Sequence, residues 1–317
     1  MSFSAKVKDE ICRYTDLSYG EALALLSGIM KVSGTIAIEG NRQLKFKILT
    51  ENPGIARLIF RLLKQHFSIH TKIFAAKSNS LKKNTVYSIV IDESMGVREL
   101  LKKVGLLRER EGVMLLNYNI QKNIADNEEY KKAYIRGAFL GGGSVSNPEK
   151  TYHLEFVTHN ENYADELSKL INSYNVSSKV IQRKSSYIVY LKDGQHISDI
   201  LNVIGAYSSL LEFENIRIMK EMRNNVNRLV NCETANLSKT VNASVRQVES
   251  IKMIRKEIGL QRLPKNLKEV AELRLNYPDE SLKELGEMLD PPIGKSGINH
   301  RLRKIEKIAE ELYREGK

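Results

Sequence analysis

Hydrophobic and polar positions change period several times along the first two thirds of the chain, and each change marks an element. LKFKILTEN (44–52) alternates apolar and polar residues as a half-buried strand does. NPGIARLIFRLLKQHF, which follows, places apolar residues three and four apart, the spacing of one helix face. HTKIFAAK and YSIVID return to the strand pattern, and VRELLKKVGLL to the helical one. The same succession recurs downstream as YHLEFVTHN (152–160), NENYADELSKLINSY, SSKVIQRK, YIVYLKD and ISDILNVIGAY. Each copy opens on a helix-like run, LSGIMKVSG (26–34) or IRGAFLGGG (135–143). The order helix, two strands, helix, two strands, helix therefore occurs twice.

The two opening helices share a frame of small residues at a constant offset of 109: Ala24 with Ala133, Gly28 with Gly137, Gly34 with Gly143. Ala24 and Gly28, like Ala133, Gly137 and Gly141, recur every fourth residue and so lie on one helix face. A glycine inside a helix costs about 1 kcal/mol relative to alanine. Close approach of the two repeat helices along this face would offset that cost. Short links between strands predict antiparallel pairing, with one face of each sheet covered by helices and the other open to a partner.

After residue 214 strand signals stop. Ser281 followed by Glu284 fits a capping box, so SLKELGEML starts a short helix near Leu282. Asp290 to Gly294 forms a turn, and Ser296 is placed to cap a longer helix from Gly297 to about Tyr313. With LKEVAELRLNY before them, these helices make a helix-turn-helix. The fold class is an α+β domain of two αββαββα repeats followed by an all-α domain. The boundaries fall at 1–19 for a helical lead-in, 20–125 and 126–214 for the repeats, 215–260 for a basic helical linker and 261–317 for the helix-turn-helix.

Charge adds a partner to this picture. The 317 residues carry a formal net charge of +12 and a sequence pI of about 9.4, which favours a polyanion such as double-stranded DNA. The excess is concentrated from Arg217 to Lys268, where 12 basic residues face 4 acidic ones, with Asn interleaved at 224, 225, 227 and 231. Arg223, Arg228, Lys239 and Arg246 are candidate phosphate contacts there. The second helix of the helix-turn-helix would enter the major groove with Lys295, Ser296, Asn299, His300, Arg301, Arg303 and Lys304. Asn299 and Arg301 suit base edges, and Lys295, Arg303 and Lys304 suit phosphate. Leu302, Ile305, Ile308, Ala309 and Leu312 form its inward stripe.

Other chemistry finds little support. No apolar run approaches the roughly 18 residues of a membrane span, and the N-terminus mixes acids and bases, which places the protein in the cytoplasm. Cys12 and Cys232 stand 220 residues apart without CxxC spacing and read as reduced core thiols. His66 and His70 lack the Glu of a zincin, and the GKS at 294–296 lacks the first glycine of a phosphate loop. No cofactor, metal or small-molecule substrate is predicted.

LSGIMKVSG and IRGAFLGGG, each heading an αββαββ succession, resemble the two signature helices of the LAGLIDADG homing endonucleases over residues 20–212. In that family the eighth residue of each motif is an acid that helps hold divalent metal at the scissile phosphodiester. Here the eighth positions are Ser33 and Gly142, and the sixth are Lys31 and Leu140. Metal-assisted cleavage depends on carboxylates, so the resemblance implies a retained scaffold with lost nuclease activity. An alternative is an endonuclease that uses Glu39 and Glu149 instead.

The acid-less double repeat, the basic linker and the C-terminal helix-turn-helix together resemble the WhiA family of Gram-positive bacteria. That resemblance includes GAFLGGGSVSNPEKTYHLEF and NRLVNCETANLSKT. It implies a nucleoid-associated transcriptional regulator of cell division, chromosome segregation and, in sporulating relatives, sporulation. Another transcription factor or RNA polymerase is then a candidate partner. A further alternative makes the repeat domain a partner- or ligand-sensing module, because Lys45 and Lys47 of the first copy correspond to His153 and Glu155 of the second.

Overall fold

The computed structural model describes residues 1–40, 43–77, 85–110 and 113–315, and the chain divides into two units, Met1–Glu221 and Met222–Lys317. The first unit opens with α1 (Phe3–Ile11). Its first repeat comprises α2 (Tyr19–Ser33), β1 (Gly34–Glu39), β2 (Gln43–Thr50), α3 (Pro53–Phe67), β3 (Ile73–Lys77), β4 (Thr85–Asp92) and α4 (Val97–Lys103). A hairpin of β5 (Leu107–Arg110) and β6 (Val113–Leu116) and the short α5 (Lys122–Asp126) lead to the second repeat. That repeat comprises α6 (Glu128–Gly142), β7 (Gly143–Val145), β8 (Leu154–Thr158), α7 (Glu161–Asn172), β9 (Lys179–Arg183), β10 (Ser186–Leu191) and α8 (Gly194–Val203).

Each repeat forms a four-stranded antiparallel sheet of the same order, β1-β2-β4-β3 and β7-β8-β10-β9. The pleat decides which side chains are covered. Leu44, Phe46 and Ile48 of β2 and Ile89 and Ile91 of β4 are buried, whereas Lys47 between them is exposed. Leu154, Phe156, Val189 and Leu191 repeat this burial in the second sheet. A Thr-x-Asn step ends the second strand of each repeat and starts the next helix. Thr50 Oγ1 accepts from Asn52 N (3.2 Å), and Asn52 Oδ1 accepts from the Gly54 and Ile55 amides (2.7 and 3.1 Å). Thr158 and Asn160 repeat the arrangement at 3.4 Å, with Asn160 capping Tyr163 N at 2.9 Å. These are N-caps that satisfy otherwise orphaned helix amides.

The β5–β6 hairpin is absent from the hydrophobic pattern. Its first strand reads Leu-Arg-Glu-Arg with only Leu107 buried, so alternation gives no apolar signal. The helical reading of VRELLKKVGLL runs too far: α4 stops at Lys103, and Gly105 at φ +72° turns the chain into β5.

Helix α9 (Tyr207–Glu257) has 51 residues and extends beyond the expected 215–260 linker at its start. Its Phe213 is buried in the core of the first unit, and its Ile251 and Ile254 are buried in the core of the second. Cys12 is half-buried and Cys232 is exposed on α9. The reading of Cys232 as a core thiol therefore does not hold: like its neighbours on α9, it is exposed.

The second unit adds α10 (Lys265–Asn276), α11 (Leu282–Glu287) and α12 (Lys295–Glu315). Leu267, Val270, Leu285, Ile298, Leu302 and Ile305 close its core around Ile251 and Ile254. Ser281 and Glu284 form the expected capping box, with reciprocal bonds of 2.8 and 3.3 Å. The tight break before α12 depends on Gly286: Ile293 N donates to its carbonyl (3.0 Å), and a Cβ there would overlap the Ile293 carbonyl. Helix α12 begins at Lys295, two residues earlier than expected. The Gly294 carbonyl accepts from Gly297 and Ile298 (2.9 and 3.2 Å), so Ser296 lies inside the first turn and is not the cap.

Candidate nucleic-acid interface

Helix α12 sorts its side chains by angle. Ile298, Leu302, Ile305 and Ala309 are buried, and Ile308 and Leu312 pack beside them. At about 100° per residue, the opposite side carries Ser296, His300, Arg303, Lys304 and Lys307, all exposed. Lys295 is exposed in the first turn. From 295 to 304 the helix contains four basic and no acidic residues. This surface can meet a polyanion without like-charge repulsion.

Asn299 and Arg301 are not brought together. Both are half-buried, on opposite flanks of the outward face. Arg301 Nη1 reaches back to the Asn266 carbonyl of α10 at 3.4 Å. Two residues apart is about 200° on a helix, so Asn299 and Arg301 flank the outward face instead of sharing it. Lys307 was missed, although its spacing from His300, Arg303 and Lys304 continues the outward stripe. It lies 3.9 Å from Glu311, both exposed, an ion pair of little strength.

On α9, Arg223, Arg228, Lys239 and Arg246 are all exposed. Arg228, Lys239 and Arg246 are separated by 11 and 7 residues and fall on one edge of the helix over about 27 Å of rise. Arg223 points to a different side.

The ends of the repeat helices form the other place where chemistry was expected. Ser33 Oγ donates to the Ile29 carbonyl of its own helix (2.8 Å). At Gly142 a Cβ would overlap Val32 Cγ1 and stand 2.7 Å from the Val157 carbonyl. A side chain at residue 142 would therefore require Val32 and the strand at Val157 to shift. Lys31, at the sixth position, is 4% exposed, donates to the Asn119 carbonyl and lies 5.9 Å from the Tyr134 ring centroid. Burial pushes its ammonium down to about 8, with Glu166 partly opposing.

Glu39 closes β1, five residues beyond Gly34, about 17 Å along an extended strand; its side chain lies outside what is described. Glu149 is exposed in the turn after β7, where its amide donates to Asn147 Oδ1 (2.9 Å). Among the described residues no three His, Cys, Asp or Glu side chains gather closely enough to share a metal ion. No described helix is long and apolar enough to cross a membrane.

The open sheet faces differ. Lys47 is exposed on the first and pairs in register with Val90. On the second, Glu155 accepts from Ser144 Oγ and lies 3.1 Å from His153 Nε2, and His153 stacks on Tyr190 at 5.7 Å. Ile181 is exposed beside them.

A double αββαββα repeat whose paired helices end without carboxylates, followed by a helix-turn-helix unit, defines a LAGLIDADG-like helix-turn-helix protein. The chain belongs to the WhiA family. Residues 20–107 match the WhiA N-terminal LAGLIDADG-like domain, 131–223 the WhiA LAGLIDADG-like domain and 226–309 the WhiA C-terminal HTH domain. It is 70% identical over 317 residues to the probable cell division protein WhiA of Clostridium acetobutylicum, covering 100% of both chains. It is 72% identical over 312 residues to that of Clostridium beijerinckii, covering 98% of this chain and 99% of the relative. Among solved structures, full-length DUF199/WhiA from Thermatoga maritima aligns with a TM-score of 0.59 at 27% identity, covering 98% and 99% of the two chains.

Proposed function

We propose that the protein is a non-enzymatic, DNA-binding transcriptional regulator of bacterial cell division. The observation that carries this reading is the outward face of α12, where Ser296, His300, Arg303 and Lys304 are exposed together with no carboxylate from 295 to 304. In this reading Ser296, His300 and Arg303 read base edges in the major groove, and Lys295, Lys304 and Lys307 hold phosphates. Arg228, Lys239 and Arg246 on α9 contact the DNA backbone further along.

The repeat unit keeps its scaffold without cleavage, a reading supported by the packing that fills the place of the acid at Gly142. The name borne by the Clostridium relatives supports the link to division; chromosome segregation, a role in sporulation and a cytoplasmic location on the nucleoid extend it. The unlike sheet faces favour a protein partner, such as another transcription factor or RNA polymerase, over a symmetric DNA saddle on the repeats. Mapping of chromosomal DNA crosslinked to the full chain in cells tests the reading. Discrete sites that vanish in an Arg303→Ala, Lys304→Ala variant are expected; an unchanged map would overturn it.

A further inference from the structure

The second unit holds a cavity of about 810 Å³ between the C-terminal part of α9, the 278–282 turn before α11 and the first turns of α12. Small-molecule sites typically occupy about 300 to 1,000 Å³. The buried charge in its lining is Arg274, 3% exposed. Arg274 Nη1 donates to the carbonyls of Pro278 and Glu280 (3.2 and 2.8 Å), while its Nε is buried with no partner among the described residues. The acids of the lining, Glu249, Asp279 and Glu280, lie at more exposed positions, and none forms an ion pair with it. A guanidinium removed from water without a carboxylate is costly unless an anion joins it.

Two more observations define what would fit. The α9 wall is apolar: Leu237, Val241 and Val245 recur every four residues and are 66, 50 and 50% exposed. Lys239, Lys252 and Lys295 add positive charge around the opening.

We propose that this cavity binds a small amphipathic anion, with its carboxylate or phosphate head on Arg274 and its apolar body along Leu237, Val241 and Val245. Lys295 and Asn299 of α12 line the same space, so a bound anion bears on the start of the helix that faces DNA. That coupling rests on the DNA-reading role of α12; the binding itself does not.

Calorimetry on the full chain without DNA tests the site, with octanoate and octyl phosphate as probes. Inorganic phosphate is the head-only control and octyltrimethylammonium the cationic control. One amphipathic anion per chain is expected, at least tenfold tighter than either control, and the tighter of the two probes assigns the head group. Arg274→Gln should weaken binding at least tenfold. Val241→Asp, at a half-exposed position that leaves the core intact, should do the same. Failure of both probes to bind, or equal binding by wild type and Val241→Asp, overturns the proposal. DNA affinity measured with the anion bound then tests the coupling separately, and no change in it sinks only the coupling.

Discussion

Gly137 of α6 lies against the main-chain carbonyl of Leu25 in α2, so closely that a Cβ on Gly137 would overlap the Leu25 oxygen and stand 2.9 Å from its carbon. The relation is reciprocal: a Cβ on Gly28 would overlap the Tyr134 carbonyl and stand 2.7 Å from the Ala138 nitrogen. The obstacles are backbone atoms, which cannot step aside as a side chain can. Gly137→Val is therefore expected to destabilise the first unit by about 3 kcal/mol or more. Chemical denaturation monitored by circular dichroism reads this directly.

The same seam predicts that carboxylates placed at the motif ends do not confer nuclease activity. Ser33→Asp with Gly142→Asp should leave supercoiled plasmid intact in Mg²⁺ or Mn²⁺, because Val32 and the Val157 carbonyl fill the space beside residue 142. The double variant should also lose about 1 to 3 kcal/mol of stability. Cleavage by it would show that the seam can open.

On α12, Arg303→Ala should weaken binding to a specific site by about 1 to 3 kcal/mol while changing binding to random duplex much less. Arg301→Ala should stay within about 0.5 kcal/mol of wild type, since Arg301 faces α10. Gel shifts of the full chain on specific and random DNA separate the two, and a larger effect of Arg301 would reverse the assignment of the groove face.

The three aligned cations of α9 should appear in the salt dependence. Replacing Arg228, Lys239 and Arg246 together with Gln should flatten the slope of log affinity against log salt by roughly 2 to 3. Arg223→Gln, on another side of the helix, should change it little. Equal effects would mean that α9 presents no defined edge to DNA.

Lys31 predicts a pH effect. Its folded-state value of about 8 lies below the ordinary 10.5 because of burial, so between these values the unfolded chain holds a proton that the folded chain has released. Stability from this group therefore rises as pH rises from about 8 toward 10.5, by up to about 3 kcal/mol, and is flat below. Melting of wild type and Lys31→Met should show the variant's relative stability falling across that window. A constant difference would mean that Lys31 stays protonated in the fold.

Much of this was legible in the sequence. The doubled period change gave the two sheets, and the constant offset between Gly28 and Gly137 gave the helix seam, because close backbone approach requires missing side chains at fixed spacing. Ser281 with Glu284 marked a helix start through local hydrogen bonds that need no tertiary context. The absence of acids at Ser33 and Gly142 was likewise plain.

Other features depended on distant neighbours. The β5–β6 hairpin was hidden because exposed charges fill its first strand, and the start of α12 was misplaced because Gly294 takes the capping role through its carbonyl. The spacing within α12 already sets the angles of Arg301 and Arg303, but the bond of Arg301 to the Asn266 carbonyl depends on where α10 lies. The burial of Lys31 and Arg274 comes from elements far along the chain. Local periodicity and capping are written in the sequence because they act over a few residues; the partners of a charge and its distance from water are set by packing, and only the tertiary structure decided them.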